Sequence, residues 1–134
     1  MAVIKILVVD DSQTSLMTGR LILSRGGYEV ITARSAEEGV RKALHERPDL
    51  CLMDSDMPQV SGVEACRRLA DDPLTAMIPV VLMVSPLFTP PPVPGRGFHA
   101  VVGKPLSAPD VLRQVRRLAG GPQLGPLSGP LVEA

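Results

Sequence analysis

The chain has 134 residues, with 14 acidic and 14 basic side chains and 45% hydrophobic residues. This length suits one domain with its own core, and a balanced charge without blocks of one sign argues against a nucleic-acid or anionic-membrane surface. No apolar stretch approaches a membrane span and Lys5 interrupts any signal-peptide pattern, so a cytoplasmic protein without a membrane anchor is expected.

Apolar runs alternate with helical patterns along the chain, which predicts a parallel sheet flanked by helices. The first run, Val3–Val9, is nearly continuous in Val, Ile and Leu, as expected of a strand that is buried on both faces. A helical stretch over 12–24 follows it. Further strands are predicted at 29–33, 50–54, 80–85 and 100–103, and further helices at 35–46, 61–70 and 107–119. We therefore expect an α/β fold of the flavodoxin-like, doubly wound type, with five parallel strands in the order 2-1-3-4-5.

Two segments interrupt this alternation. A helix should follow the fourth strand, yet residues 86–98 carry prolines at 86, 90, 91, 92 and 94. Each interior proline removes an amide donor and costs a helix roughly 3 kcal/mol, so we predict a loop in place of the fourth helix. The second segment is rich in glycine and proline, which predicts a flexible tail over 120–134 after a domain of residues 1–119.

Acidic side chains stand where two of the predicted strands end. Asp10 and Asp11 follow the first strand, and Asp54 ends the third. In an open parallel sheet, ligands bind beyond the carboxyl ends of the strands where the winding direction switches, which here falls between these two strands. Three neighbouring carboxylates would repel one another and raise one another's pKa unless a cation lies among them. Oxygen ligands with room for water predict Mg²⁺.

A carboxylate can attack a phosphoryl group and form an aspartyl phosphate. Because both reactants are anions, the reaction needs positive charge and hydrogen-bond donors around the phosphoryl oxygens. Lys104 follows the fifth predicted strand and supplies an ammonium group, while Ser85 ends the fourth and supplies a hydroxyl. The sequence therefore predicts a phosphoryl-accepting crevice at this edge of the sheet.

This set of residues resembles the receiver domain of response regulators in bacterial two-component signalling, of the chemotaxis-receiver type. The resemblance covers residues 3–119, and the positions that carry it are Asp10–Asp11, Asp54, Met57–Pro58, Gly62, Ser85 and Lys104–Pro105. It implies that Asp54 is the phosphoacceptor and that Mg²⁺ is bound by Asp10, Asp11, Asp54 and Asp56. Asp11 would bind the metal directly, Asp10 largely through water, and Asp56 through its backbone carbonyl.

The resemblance also implies roles for the remaining positions. Ser85 and Lys104 would contact the phosphoryl group, and the Lys104–Pro105 bond would be cis, as proline permits at roughly 0.5–1 kcal/mol. Ser85 and Val101 occupy the two switch positions, but receivers carry Tyr or Phe where this chain has Val101. The relay from the crevice to the output surface is thus altered, and the 86–98 loop is a hypothetical recognition element in its place.

The resulting prediction is a single-domain response regulator that is not an enzyme beyond its own phosphorylation and dephosphorylation. Its expected partners are a histidine kinase or phosphotransfer protein and an unidentified downstream protein, with no nucleic acid and no membrane. One alternative is a pseudo-receiver that binds proteins without phosphorylation. A poorer alternative is a haloacid-dehalogenase-like phosphatase, because Asp54–Ser55–Asp56 matches its Asp-x-Asp signature. That family places the signature on its first strand and adds an acidic pair after its lysine, which this chain lacks.

Overall fold

A computed structural model of the protein describes residues 3–86 and 97–121, which form a three-layer α/β fold. In chain order its elements are β1 (Lys5–Val9), α1 (Gln13–Arg25), β2 (Glu29–Ala33), α2 (Ala36–Glu46), β3 (Leu50–Asp54), α3 (Gly62–Asp71), β4 (Val80–Val84), β5 (Ala100–Gly103) and α4 (Ala108–Ala119). All neighbouring strands are parallel and their order is β2-β1-β3-β4-β5. The predicted fold class is confirmed.

The two segments predicted to be irregular are described only at their margins. Among the residues that the structure describes, no helix lies between β4 and β5, which agrees with the predicted absence of the fourth helix. The body of the predicted loop, 87–96, and all but the start of the predicted tail, 122–134, lie outside the described residues. Within 3–86 and 97–121, no helix is both long enough and apolar enough to span a bilayer.

The sheet separates two hydrophobic clusters, because successive side chains of a strand point to opposite faces. On β3, Cys51 and Met53 pack beneath α2 and α3, whereas Leu50 and Leu52 pack beneath α1 and α4. All five residues of β3 and all five of β4 are buried. These two central strands therefore form a rigid base for the residues at their carboxyl ends.

The first cluster also contains both cysteine thiols of the chain. Cys51 and Cys66 are free and buried. Burial raises the pKa of the Cys51 thiol well above its usual value, and burial raises the pKa of the Cys66 thiol to about 12. Because the thiolate is the reactive form, these thiols act as apolar core groups at neutral pH.

Each helix begins at a serine whose hydroxyl accepts a backbone hydrogen bond from the first turn. These caps are Ser12, Ser35, Ser61 and Ser107. At α2 the Glu38 carboxylate also accepts from the Arg34 amide at 2.8 Å, which lowers the pKa of that carboxyl group. Such caps satisfy amides that have no partner inside the helix, so the serine spacing seen in the sequence fixes where the helices start.

The last helix is fastened to the turn that precedes β2. The Tyr28 hydroxyl donates to the carbonyl oxygen of Gly120 at 2.9 Å, although 92 residues separate the two positions. Tyr28 is itself buried against the cluster beneath α1 and α4. The chain therefore leaves α4 beside the amino-terminal end of β2.

We expect Gly19→Ala to stabilise the protein by about 0.5–1 kcal/mol, since alanine favours a helix interior over glycine by about that amount. A Cβ atom at this position in α1 would lie 3.4 Å from Cγ1 of Val8 and 3.7 Å from Cδ1 of Leu106, which is ordinary packing contact. Urea unfolding followed by circular dichroism measures the change. A loss of stability would mean that Val8 cannot accommodate the methyl group.

Candidate functional site

The site is formed where the neighbouring strands β1 and β3 end. Val9 pairs with Met53, so the next residues along each strand, Asp10 and Asp54, leave the sheet side by side. Asp10 is completely buried and Asp54 is 3% exposed, whereas Asp11 is exposed. One carboxylate oxygen from each of Asp10, Asp11 and Asp54 lies within 4.8 Å of the others. The structure thus brings together the three carboxylates that the sequence predicted to meet.

Lys104 enters the same crevice from the end of β5. Its Nζ lies 2.7 Å from Oδ2 of Asp10 and 3.2 Å from Oδ1 of Asp54. Its backbone amide donates to the Val84 carbonyl at 2.8 Å, and the Lys104–Pro105 peptide bond is cis, as the resemblance implied. The ammonium group therefore bridges two carboxylates and is held in place through the ends of β4 and β5.

Backbone amides orient both buried carboxylates. Oδ1 of Asp10 accepts from the Ser12 amide at 2.9 Å, and Oδ1 of Asp54 accepts from the Asp56 amide at 3.3 Å. These bonds use one oxygen of each carboxylate, and the loop after each strand supplies the donor. The carboxylates are consequently held at fixed positions before any ligand arrives.

The site holds more negative charge than its surroundings neutralise. The pKa of Asp54 is raised to about 6, first by burial and next by the neighbouring charge of Asp10, against the lowering effects of Lys104 and the Asp56 amide. Burial alone would lower the pKa of Lys104. The hydrogen bond and charge of Asp10, together with the charge and hydrogen bond of Asp54, outweigh burial, so the pKa of Lys104 is raised. A bound cation would stabilise the ionised form of Asp54 and lower this pKa.

The donor set fits a hard divalent cation. All the side-chain donors are carboxylate oxygens, and the exposed side of Asp11 leaves room for water, which suits the octahedral and partly hydrated coordination of Mg²⁺. Two buried carboxylates with only one ammonium between them leave uncompensated charge, as the raised pKa of Asp54 records. The residues present are therefore suited to hold Mg²⁺.

Of the other predicted site residues, Asp56 and Ser85 lie at the same edge of the sheet, whereas Val101 lies within a strand. Asp56 is exposed in the loop after β3, and Ser85 follows β4 and is half-buried. Since Asp54 pairs with Met83, Ser85 lies close to the crevice along the neighbouring strand. Val101 lies within β5 and packs against the cluster beneath α2 and α3. Val101 is therefore a partly buried packing residue rather than a group in the crevice.

Two residues have a structural importance that the sequence did not reveal. Ser55 donates its amide to the Met83 carbonyl at 2.9 Å and accepts from the Gly62 amide at 3.1 Å, so it ties β3 to both β4 and α3. Gly62 approaches the backbone of Asp54 so closely that a Cβ atom would lie 1.8 Å from the Asp54 carbonyl oxygen. In the sequence, Gly62 is identified only as part of the family motif, and Ser55 only as the middle residue of an Asp-x-Asp match.

A five-stranded parallel sheet of this order, with an acidic crevice and a lysine at its carboxyl edge, defines a receiver-type α/β protein. The sequence pattern of the response regulator receiver domain matches residues 6–116, and the chain belongs to that family.

Relatives in curated sequences agree with this assignment. The chain is 32% identical over 119 residues to protein PilH of Pseudomonas aeruginosa, covering 87% of this chain and 98% of that protein. It is 31% identical over 117 residues to the polar-differentiation response regulator DivK of Brucella anthropi, covering 86% of this chain and 95% of that protein. It is also 35% identical over 108 residues to the alkaline phosphatase synthesis transcriptional regulatory protein PhoP of Bacillus subtilis, covering 81% of this chain but only 41% of that protein.

Solved structures agree as well. The chemotaxis protein CheY4 of Vibrio cholerae superimposes with a TM-score of 0.77 at 25% identity, covering 87% of this chain and 99% of that one. A receiver domain protein of Clostridium thermocellum gives a TM-score of 0.75 at 26% identity, covering 87% of this chain and 94% of that one.

Proposed function

We propose that the protein is a response regulator that accepts a phosphoryl group on Asp54 from the phosphohistidine of a histidine kinase or phosphotransfer protein. The observation that carries this proposal is the position of Oδ1 of Asp54, 3.2 Å from Nζ of Lys104 and beside two further carboxylates. A nucleophilic oxygen, an ammonium group and a cation-binding acid cluster thus meet in one crevice. In this function residues 1–119 are the receiver domain.

The chemistry follows from these groups. A carboxylate oxygen of Asp54 attacks phosphorus, the P–N bond to the donor imidazole breaks, and an acyl phosphate forms on Asp54 while the imidazole keeps the bonding electron pair. Lys104, which holds Asp10 and Asp54 in the free protein, is free to pair with a phosphoryl oxygen instead. Ser85 at the end of β4 donates to another phosphoryl oxygen. Asp10, Asp11, Asp54 and the Asp56 carbonyl would hold Mg²⁺, which would supply the positive charge that lets the two anions meet.

Signalling then proceeds through a protein partner in the cytoplasm, without nucleic acid or membrane contact by this domain. The similarity to PilH and DivK over nearly their whole lengths supports a regulator of this kind, since each of those proteins consists mainly of the same domain. Val101 lies in the core where an aromatic switch residue was expected from the family, so the conformational response to phosphorylation differs from the usual one.

The test is intact-mass spectrometry after incubation with acetyl phosphate and Mg²⁺. We expect a phosphoryl adduct on the wild-type protein, none on Asp54→Asn, none when EDTA replaces Mg²⁺, and a much weaker one on Lys104→Ala. Asp71→Asn, which changes a carboxylate at the end of α3, is the matched control and should label as the wild type does. If neither acetyl phosphate nor a range of phosphorylated histidine kinases labels the wild type, the pseudo-receiver function replaces this proposal.

A further inference from the structure

The hydroxyl group of Ser55 is buried beside the proposed phosphoacceptor and forms no hydrogen bond to any residue of 3–86 or 97–121. Ser55 is 2% exposed, and no described residue offers a hydrogen-bond partner to its Oγ. Leaving a buried polar group unpaired costs free energy, and most buried polar groups are paired for that reason. An alanine at this position would avoid the cost. The hydroxyl therefore disfavours the state that the structure describes.

The position of Ser55 indicates which part of the chain its hydroxyl can meet. Along β3, the side chains of Cys51 and Met53 point beneath α2 and α3, and by strand alternation that of Ser55 points to the same face. Asp54 pairs with Met83, so Ser55 is the register neighbour of Val84. The next residue after Val84 is Ser85, which the proposed function brings to the phosphoryl group. The hydroxyl thus lies next to the segment that would move toward the crevice.

The backbone of Ser55 already couples the crevice to this segment. Its amide donates a hydrogen bond to the Met83 carbonyl on β4, and its carbonyl accepts one from the Gly62 amide at the start of α3. A displacement at the end of β4 therefore acts on Ser55 directly. A phosphoryl group on Asp54 adds negative charge and three acceptor oxygens within one residue of Ser55. Such a group draws donors from the end of β4 toward it and changes which backbone groups surround the Ser55 hydroxyl.

We infer that Ser55 is a positioning residue whose hydroxyl forms its hydrogen bond to the backbone that follows Val84 only in the phosphorylated state. The inference rests on the proposed function and deepens it. Ser55 would favour the phosphorylated conformation because its hydroxyl is unpaired in one state and paired in the other. In the absence of the usual aromatic residue at Val101, this hydroxyl provides a second link between the phosphoryl group and the end of β4.

The experiment compares the affinity of Ser55→Ala and of the wild type for beryllofluoride with Mg²⁺, a stable mimic of the phosphoryl group. One net hydrogen bond of about 1 kcal/mol predicts that Ser55→Ala binds beryllofluoride about five-fold more weakly. The same variant should be more resistant to urea than the wild type when no beryllofluoride is present. Ser55→Cys, which keeps the size but donates weakly, should fall between the two proteins in both measurements.

Thr75→Val provides the matched control. The Thr75 hydroxyl is also buried, but it donates to the Leu69 carbonyl at 2.7 Å, far from the crevice in the turn after α3. Its removal should lower resistance to urea in both states and leave the affinity for beryllofluoride unchanged.

The outcomes separate this inference from the proposed function. If the wild type binds beryllofluoride and Ser55→Ala binds it equally well, the role of Ser55 is wrong and the proposed function stands. If Ser55→Ala is less stable than the wild type without beryllofluoride, the hydroxyl is paired in the free state and the inference is also wrong. If the wild type does not bind beryllofluoride at all, the proposed function fails and the inference fails with it.

Discussion

Gly62→Ala should destabilise the protein strongly. A Cβ atom at this position would lie 1.8 Å from the carbonyl oxygen of Asp54, 2.7 Å from its carbonyl carbon and 2.9 Å from Cα of Ser55. All three are backbone atoms at the end of a buried strand, so no side chain can rotate away to make room. Overpacking a rigid region costs about 1–3 kcal/mol and sometimes more, and here we expect about 3 kcal/mol or more.

The loss would come from separating the start of α3 from the end of β3. Gly62 donates to the Ser55 carbonyl at 3.1 Å, and the methyl group would force this bond apart as well as displace Asp54. Domains of this size have stabilities of about 5–15 kcal/mol, so Gly62→Ala would remove a substantial share of the stability. Any fraction that folds should accept a phosphoryl group poorly, because Asp54 no longer stands opposite Lys104.

Urea unfolding monitored by circular dichroism measures the loss, with Gly19→Ala as the matched control. The chemical change is the same in both variants, yet Gly19→Ala is expected to stabilise α1 whereas Gly62→Ala should destabilise the domain. If the free energy of unfolding of Gly62→Ala were within about 1 kcal/mol of the wild-type value, the β3–α3 loop could move away from α3, contrary to the packing in this structure.

Asp54→Asn should stabilise the metal-free protein, and the gain should grow with pH. Folding raises the pKa of Asp54 from 3.8 to about 6, through burial and the charge of Asp10. The folded protein therefore binds the Asp54 proton more tightly than the unfolded chain does. The contribution of Asp54 to stability is greatest below the pKa that Asp54 has in the unfolded chain, and this contribution is lost as pH rises through about 6. The full change corresponds to on the order of 3 kcal/mol.

Asparagine cannot ionise, so this pH-dependent loss should disappear in the variant. In EDTA at about pH 8 we expect the stability of Asp54→Asn to exceed that of the wild type by roughly 2–3 kcal/mol. The ion pair with Lys104, which the variant loses, is already included in the raised pKa of Asp54. Near pH 4 the two proteins should be nearly equal, because Asp54 is then protonated in the folded wild type. Thermal unfolding across this pH range measures the difference.

Mg²⁺ provides a second arm of the same experiment. The cation neutralises the charge that disfavours ionised Asp54, so it should stabilise the wild type more than Asp54→Asn at neutral pH. Asp71→Asn should follow the wild type throughout. A variant that is less stable than the wild type at high pH would mean that the pair with Lys104 outweighs burial and the charge of Asp10.

The sequence predicted the fold and the acid cluster because both depend on local patterns. Continuous apolar runs identify strands that are buried on both faces, and a carboxylate directly after such a run must lie at the edge of the sheet. Asp10, Asp11, Asp54 and Lys104 could be brought together on this reasoning alone, and the structure places them in one crevice. The predicted first strand extended to Val3, but β1 begins at Lys5.

Other features depend on distances that no pattern encodes. The close approach of Gly62 to Asp54 requires the exact docking of α3 on β3, and glycine at a helix start has many other causes. Carboxylate repulsion was predicted to raise a pKa in the crevice, but burial is the larger cause, and burial follows only from the packed strands. The unpaired hydroxyl of Ser55 is likewise visible only when every neighbouring donor and acceptor has a position.

The bond between the Tyr28 hydroxyl and the Gly120 carbonyl determines where attached groups would emerge from the domain. Tyr28 precedes the first residue of β2, whereas Asp54 ends β3. The point where the chain leaves α4 and the crevice therefore lie at opposite ends of the strands. A strand of five residues separates these two ends by about 16 Å. A fluorophore or fusion partner attached after residue 121 would therefore leave the phosphoryl donor's approach open, and the domain can be immobilised through that end while its phosphorylation is measured.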